Sequence, residues 1–234
     1  MGEPPKTPKE QRVAALNLKS AEKWKAWIEG RIRDDVLRLH VQRVVWDGMQ
    51  QVIHENANLP RFSVLWEYLF DTYTAAQAAA VRRLAETDDQ VVSLGQLLRQ
   101  ISTGNQGAVT REWWMSGWPT RWIRQAQGKQ IFDELAGAGS AAFPEEAALR
   151  DLGRLNASAD KVKLWVDRHV AHIDKRGLIL EQAPSVRELH DAIDLIRSLY
   201  VRYSLLFTRT SDARAELAMD LSNWRDPLKR PWIT

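Results

Sequence analysis

Between Val186 and Phe207 the residues Val186, Leu189, Ile193, Ile196, Tyr200, Tyr203 and Phe207 recur at steps of three and four. That is the period of one helix face and of no strand. Ser185 stands just ahead with Glu188 three residues on, and Pro184 lies outside, the capping-box pattern of a helix start. A stripe of that length has to be laid against other elements, and the rest of the chain offers helices. Phe62, Trp66, Leu69, Tyr73, Ala76 and Ala80 form a second stripe, whose small residues let a neighbouring helix approach closely. Arg83 continues it and is expected to point inward toward a carboxylate, Asp167 or Asp174, because an unpaired buried charge is costly. A long first helix from about Ser20 to His54 carries Trp24, Ile28, Ile32, Leu39, Trp46, Met49 and Ile53, with Asp35 and Gln42 interrupting its stripe and Gly30 weakening it.

Shorter helices are predicted at Ser93 to Ile101, before a polar turn at Ser102 to Gly107, and in two segments around Trp113 and Phe132, divided by Gly117 and Pro119. Ala136 to Pro144 reads as a small-residue linker, and Pro144 lies near the start of another helix. Ser158 or Asp160 is expected to cap a further one over Lys161 to Arg176, which Gly177 ends. Beyond Phe207 the chain is polar until Trp224, and Pro227 and Pro231 suggest an extended end packed by Trp224 or Trp232. No alternating run competes as a strand, and no repeat emerges at a period of about 20 to 50 residues. The expectation is an all-α fold, an up-and-down helical bundle with extra short helices: a disordered tail at 1–10, then a single domain at 11–234.

Composition excludes more than it names. The 234 residues, 44% of them hydrophobic and 27% charged, suit one substantial core. Lys plus Arg number 33 against 30 for Asp plus Glu, so the net charge of +3 describes mixed charges and does not announce nucleic acid. The absence of cysteine excludes a disulfide framework, cysteine-based zinc sites and a cysteine nucleophile. Met1 to Glu10 holds three prolines and no apolar run, and no later stretch reaches the roughly 18 apolar residues of a membrane span. The expected location is the cytoplasm, with no membrane contact.

Chemistry concentrates in Asp167-Arg168-His169-Val170-Ala171-His172-Ile173-Asp174. On an α-helical wheel Val162, Val166, His169 and Ile173 fall on the apolar face, Arg168 and His172 share one flank beside Trp165, and Asp167 and Asp174 share the other edge. Arg168 and His172 can therefore face one ligand. An imidazole titrating near neutrality moves protons and a guanidinium holds phosphate through paired donors, a pair suited to phosphodiester cleavage. The plainer alternative makes His169 a hydrogen-bonded core histidine and Arg168 with His172 a solvated edge. His169, His172 and Asp174 have no remote His or Cys cluster to complete a metal sphere, so no metal and no cofactor is expected. Gly137-x-Gly139-x-x-Ala142 spells a dinucleotide fingerprint variant but follows a helix, and Asn156-Ala-Ser158, formally a glycosylation acceptor, reads as cap chemistry.

Asp167 to Arg176, followed by the helix through Glu188 to Tyr203 and preceded by Val91 to Ile101 after the Arg82-Arg83 helix end, resembles the abortive-infection U-type (AbiU-like) branch of the HEPN superfamily. The resemblance covers Phe62 to Phe207, and the short Ala171-His172-Ile173-Asp174 core is its strongest piece. It implies a helical bundle that pairs into a homodimer and acts on RNA. Many members are metal-independent endoribonucleases of toxin or phage-defence type whose motif is Arg, four to six residues, then His. On that pattern His172 is the general acid/base, while Trp165, Val166 and Asp167 occupy the positions of the family arginine. Arg168 stands one turn from His172 as a substitute phosphate ligand, with Asp167, His169, Asp174 and Arg83 in support. The alternative is a non-catalytic dimerisation or protein-interaction module, and an antitoxin protein is a further implied partner.

Trp113, Trp114, Trp118 and Trp122 lie next to Arg111, Arg121 and Arg124. Aromatic and guanidinium groups together stack single-stranded RNA bases, whereas tryptophan also supplies buried area to cores and dimer contacts. Both readings stay open on the residues alone.

Overall fold

The computed structural model describes residues 7–55, 64–104, 109–118, 122–170, 183–218 and 223. Helices α1 (Pro8–Trp27) and α2 (Arg33–Glu55) are joined by a π turn at Ile28–Ile32. There follow α3 (Val64–Leu84), α4 (Leu94–Gly104), α5 (Arg111–Ser116), α6 (Trp122–Ala136) and α7 (Glu145–Trp165). A second π turn, Val166–Val170, extends α7, and α8 (Val186–Thr208) and α9 (Asp212–Leu217) close the described chain. The fold is all-α: no strand occurs among the described residues, where one isolated bridge joins Thr110 to Ala142.

The α8 stripe sits at the centre. Glu188 N–H donates to the Ser185 hydroxyl and Glu188 Oε2 accepts from Ser185 N–H at 2.8 Å, closing the capping box. Leu189, Ile193, Ile196, Tyr200, Tyr203 and Phe207 are then buried along one face, with α7, α3 and α2 packed around it. α4 lies along α7. Its start touches the end of α3 so closely that a Cβ on Gly95 would come within 2.7 Å of the Ala85 and Glu86 carbonyl oxygens. Ser93 caps this junction, donating to Glu86 O and accepting from Gln96 N–H at 2.9 Å.

Several boundaries differ from expectation. The first helix is two, because Gly30 leaves helical geometry (φ −106°, ψ −108°), the freedom a residue without Cβ has. α1 begins at Pro8, inside the stretch expected to be a tail, and proline suits a first helical position. Ser158 and Asp160 cap nothing: α7 runs through them because Leu155, Ala159 and Val162 continue one buried stripe, and Asn156 lies inside the helix. α4 reaches Gly104 through the expected turn residues. Gly137 (φ +98°) and Gly139 (φ +72°) form the turn after α6, with Gly139 N–H donating to Asp133 Oδ1, so the glycine pair serves a left-handed turn and not a dinucleotide. Past Phe207 a short helix forms, α9, which buries Ala213 and brings Glu216 onto Arg33 at 2.6 Å. At the end of α8, Arg209 (φ 61°) donates from Nε to Trp114 O at 2.8 Å and from Nη2 to Trp113 O at 2.9 Å.

Candidate functional site

α7 delivers the Asp167 segment. Val162 and Val166 are buried, and the helix then loosens into the π turn Val166–Val170. A π turn takes an extra residue, so an α-helical wheel does not hold across Val166–Val170. Such turns are frequent at functional sites. Asp167 is half exposed and accepts from Arg82 Nε at 2.5 Å, while Arg82 also lies 3.7 Å from Glu86. Arg168 is half-buried, and His169 contributes backbone to the π turn. The His169 ring, His172 and Asp174 lie outside the described residues.

Arg83 does point toward a carboxylate, but a different one. Its Nε and Nη2 each sit 3.1 Å from an oxygen of Asp35, and Arg31 Nε adds a third contact at 3.1 Å. Asp35 is 2% exposed. Adjacent helix residues project about 100° apart, so Arg82 reaches Asp167 and Arg83 reaches α2. The polar interruption of the first helix is thus the partner of Arg83, whose own side chain is 41% exposed.

The tryptophans divide. Trp114 is fully buried, with ring centroids 5.2 Å from Trp118 and 5.4 Å from Phe132. Trp113 is half-buried, edge-on to Phe207 at 6.4 Å with the Arg209 guanidinium 4.2 Å over its ring. Trp118 is half-buried against Trp114 and Gly128. Three of the four are therefore packed within this chain. The Trp122 side chain and Arg121 lie outside the described residues.

A second polar cluster was not singled out in the sequence. α2 contributes His40, Arg43 and Asp47, and α8 answers with Arg197, Asp194 and His190 in reverse order. Arg43 Nε donates to Asp47 at 2.7 Å, and Arg197 Nη1 donates to Asp194 at 3.0 Å. From α3 the Tyr73 hydroxyl meets His190 Nε2 at 3.0 Å, and Trp46 stacks on Tyr73 at 4.4 Å. Burial pushes the His40 imidazole below its ordinary value and nearby Arg197 adds to this, against Asp194. His190 is likewise lowered, by burial and then Arg43, against Asp47, Asp194 and Asp191. In both cases burial favours the neutral ring. The spacings His40, +3, +7 and His190, +4, +7 each fall on one helical face, which was the available signal.

The described residues form an all-α fold of packed helices. The AbiU2 family model of HEPN domains matches residues 21–224, a wider span than the 62–207 stretch, and the chain belongs to that family. Neither the curated proteins nor the solved structures include a match to it. Among the described residues no helix is long and apolar enough to cross a membrane, and no three His, Asp or Glu side chains gather as a metal site.

Proposed function

We propose that this protein acts on RNA in the cytoplasm as a metal-independent endoribonuclease of toxin or phage-defence type. The family membership carries the reading, joined by the concentration of Arg168, His169 and His172 between Asp167 and Asp174. In the proposed reaction His172 takes the proton of a ribose 2′-hydroxyl, the oxygen attacks the adjacent phosphorus, and the bond to the 5′-oxygen breaks as that oxygen gains a proton. Arg168 stabilises the charge gathering on the phosphate. Asp167, held by Arg82, fixes the segment's orientation. A homodimer brings two such segments to one substrate, and an antitoxin protein is the proposed regulatory partner. A specific observation favours a second reading, a non-catalytic interaction module: the family arginine positions hold Trp165, Val166 and Asp167.

Total RNA incubated with the protein in chelator separates the two. Cleavage that drops at least about 100-fold in His172→Ala and in Arg168→Ala supports the enzyme. Cleavage absent from wild type, or equal in the variants, overturns it in favour of the module. Light scattering then reads the dimer directly, a strictly monomeric mass rejecting it.

A further inference from the structure

Folded proteins pair their buried polar atoms, so a concentration of unpaired ones at one place asks for a cause. Among the described residues, His40 Nδ1 and Nε2, Arg43 Nη1, Trp46 Nε1, Gln77 Oε1 and Arg197 Nε are all buried and unpartnered. They lie on the facing stretches of α2, α3 and α8. His40 itself is 4% exposed, and Arg197 and Asp194 act on its ring electrostatically. The set is one-sided. Arg43 Nη1, Arg197 Nε and Trp46 Nε1 only donate, and a neutral imidazole donates from one nitrogen. Gln77 Oε1 and the second imidazole nitrogen are the acceptors that oppose them. Two guanidiniums and an excess of N–H groups complement a ligand that is anionic and all acceptor.

We infer that the seam between α2 and α8 binds a phosphoryl oxyanion, held by Arg43, Arg197 and His40. The covered donors are reached by moving the two arginines. Arg43 is paired with Asp47 (53% exposed) and also donates to the Tyr73 hydroxyl, and Arg197 is paired with Asp194 (59% exposed); exposed ion pairs of this kind hold weakly, by about 1 kcal/mol or less. These carboxylates occupy the places that phosphoryl oxygens take over. Arg43, Arg197, Asp47 and Asp194 cancel in charge, so the anion's arrival also favours protonation of His40 and of His190, which lies beside Asp194, Arg43, Asp47, Asp191 and Tyr73. The seam is distinct from the Asp167 segment: Tyr73 and Arg82 stand nine residues apart on α3, about 13 Å along its axis.

The full chain is titrated with inorganic phosphate and, separately, with a 2′-deoxy dinucleotide phosphodiester. Sodium chloride at matched ionic strength serves as control, and the imidazole signals of His40 and His190 are followed by NMR. Saturable shifts of the His40 ring that chloride does not reproduce are expected. Arg197→Gln and Arg43→Gln, each verified as helical by circular dichroism, weaken binding at least tenfold. Saturation by phosphate alone assigns the site to free phosphate, and saturation by the dinucleotide assigns it to a nucleic-acid backbone. No saturable shift with either probe, or shifts retained in both folded arginine variants, overturns the inference. The readout involves no RNA cleavage, so it stands or falls separately from the role of His172.

Discussion

α2 carries two polar intrusions into the bundle, and they are resolved in opposite ways. Asp35 is buried and fully engaged, with Arg83 on two of its contacts and Arg31 on the third. One to three turns further on, His40 and Arg43 are covered but leave nitrogens unpaired. The first arrangement is closed by its own chain and behaves as part of the scaffold. The second leaves nitrogens that its own chain does not pair, at the place where the anion is proposed to bind. Buried polarity alone does not mark a site.

The sharpest way to break this comparison is to make the same kind of cut in both places. Arg83→Met leaves a 2% exposed carboxylate with Arg31 as its remaining partner and should cost about 2–3 kcal/mol in urea unfolding, somewhat below a fully severed buried pair. Arg43→Met, whose partner Asp47 stays hydrated, should cost under about 1 kcal/mol. Equal losses would erase the distinction.

Next in size is a pH effect confined to the seam. The native-state values of His40 and His190 are lowered, so the unfolded chain binds more protons than the native one once pH falls through the ordinary imidazole range near 6.5. Stability is therefore complete above that range and is lost on acidification, by at most about 1.4 kcal/mol per pH unit per histidine. His40→Phe should flatten the slope between pH 7 and pH 5, whereas Arg83→Met should leave it in place. An unchanged slope in His40→Phe would contradict the assignment to this ring.

At pH 7.5 and without added anion, His40→Phe should raise stability by up to about 1 kcal/mol, because it replaces two unpaired nitrogens with carbon of similar shape. A loss above 2 kcal/mol would mean that His40 is satisfied in the native state after all. The smallest effect belongs to the surface. Arg82→Ala removes a pair whose side chains are 38% and 49% exposed and should cost about 0.5 kcal/mol or less. A reduced RNA cleavage rate with that small cost would show Asp167 positioning the segment.

How much of this was legible depended on periodicity. The Ser185 and Glu188 box and the stripe through Phe207 specified α8, because local hydrogen bonds and a repeating apolar face act within a single helix. The second stripe matched only in part: Tyr73 and Ala80 are buried, but Ala76 is exposed and the Arg83 side chain is 41% exposed, while Gln77, Val81 and Leu84 share the buried face. The partner of Arg83 differs as well, because the choice between Asp35 and Asp167 depends on how α2 and α7 sit around α3. Asp35 and Gln42 were noticed as faults in a stripe. Gln42 in fact accepts from Gln77 Nε2 at 2.9 Å, so each fault is one half of a pair on another helix. The His40 and His190 faces meet only in three dimensions, and spacing within one helix does not reveal an opposing one. Composition left the Trp113 to Trp122 cluster open between packing and RNA stacking, and Trp114 and Trp118 pack on each other and on α6.

Arg209 makes one mechanical part out of two distant stretches of chain. Its guanidinium closes the last carbonyls of α5 across 95 and 96 residues of sequence, and Gly117 leaves the room it fills, since a Cβ there would lie 2.5 Å from Arg209 Cζ. A short helix such as α5 would by itself fray on its own timescale. Tied to the end of α8, it has to open when α8 opens, so the amide protons of both segments should exchange with solvent as a single cooperative unit, at a rate set by the longer helix.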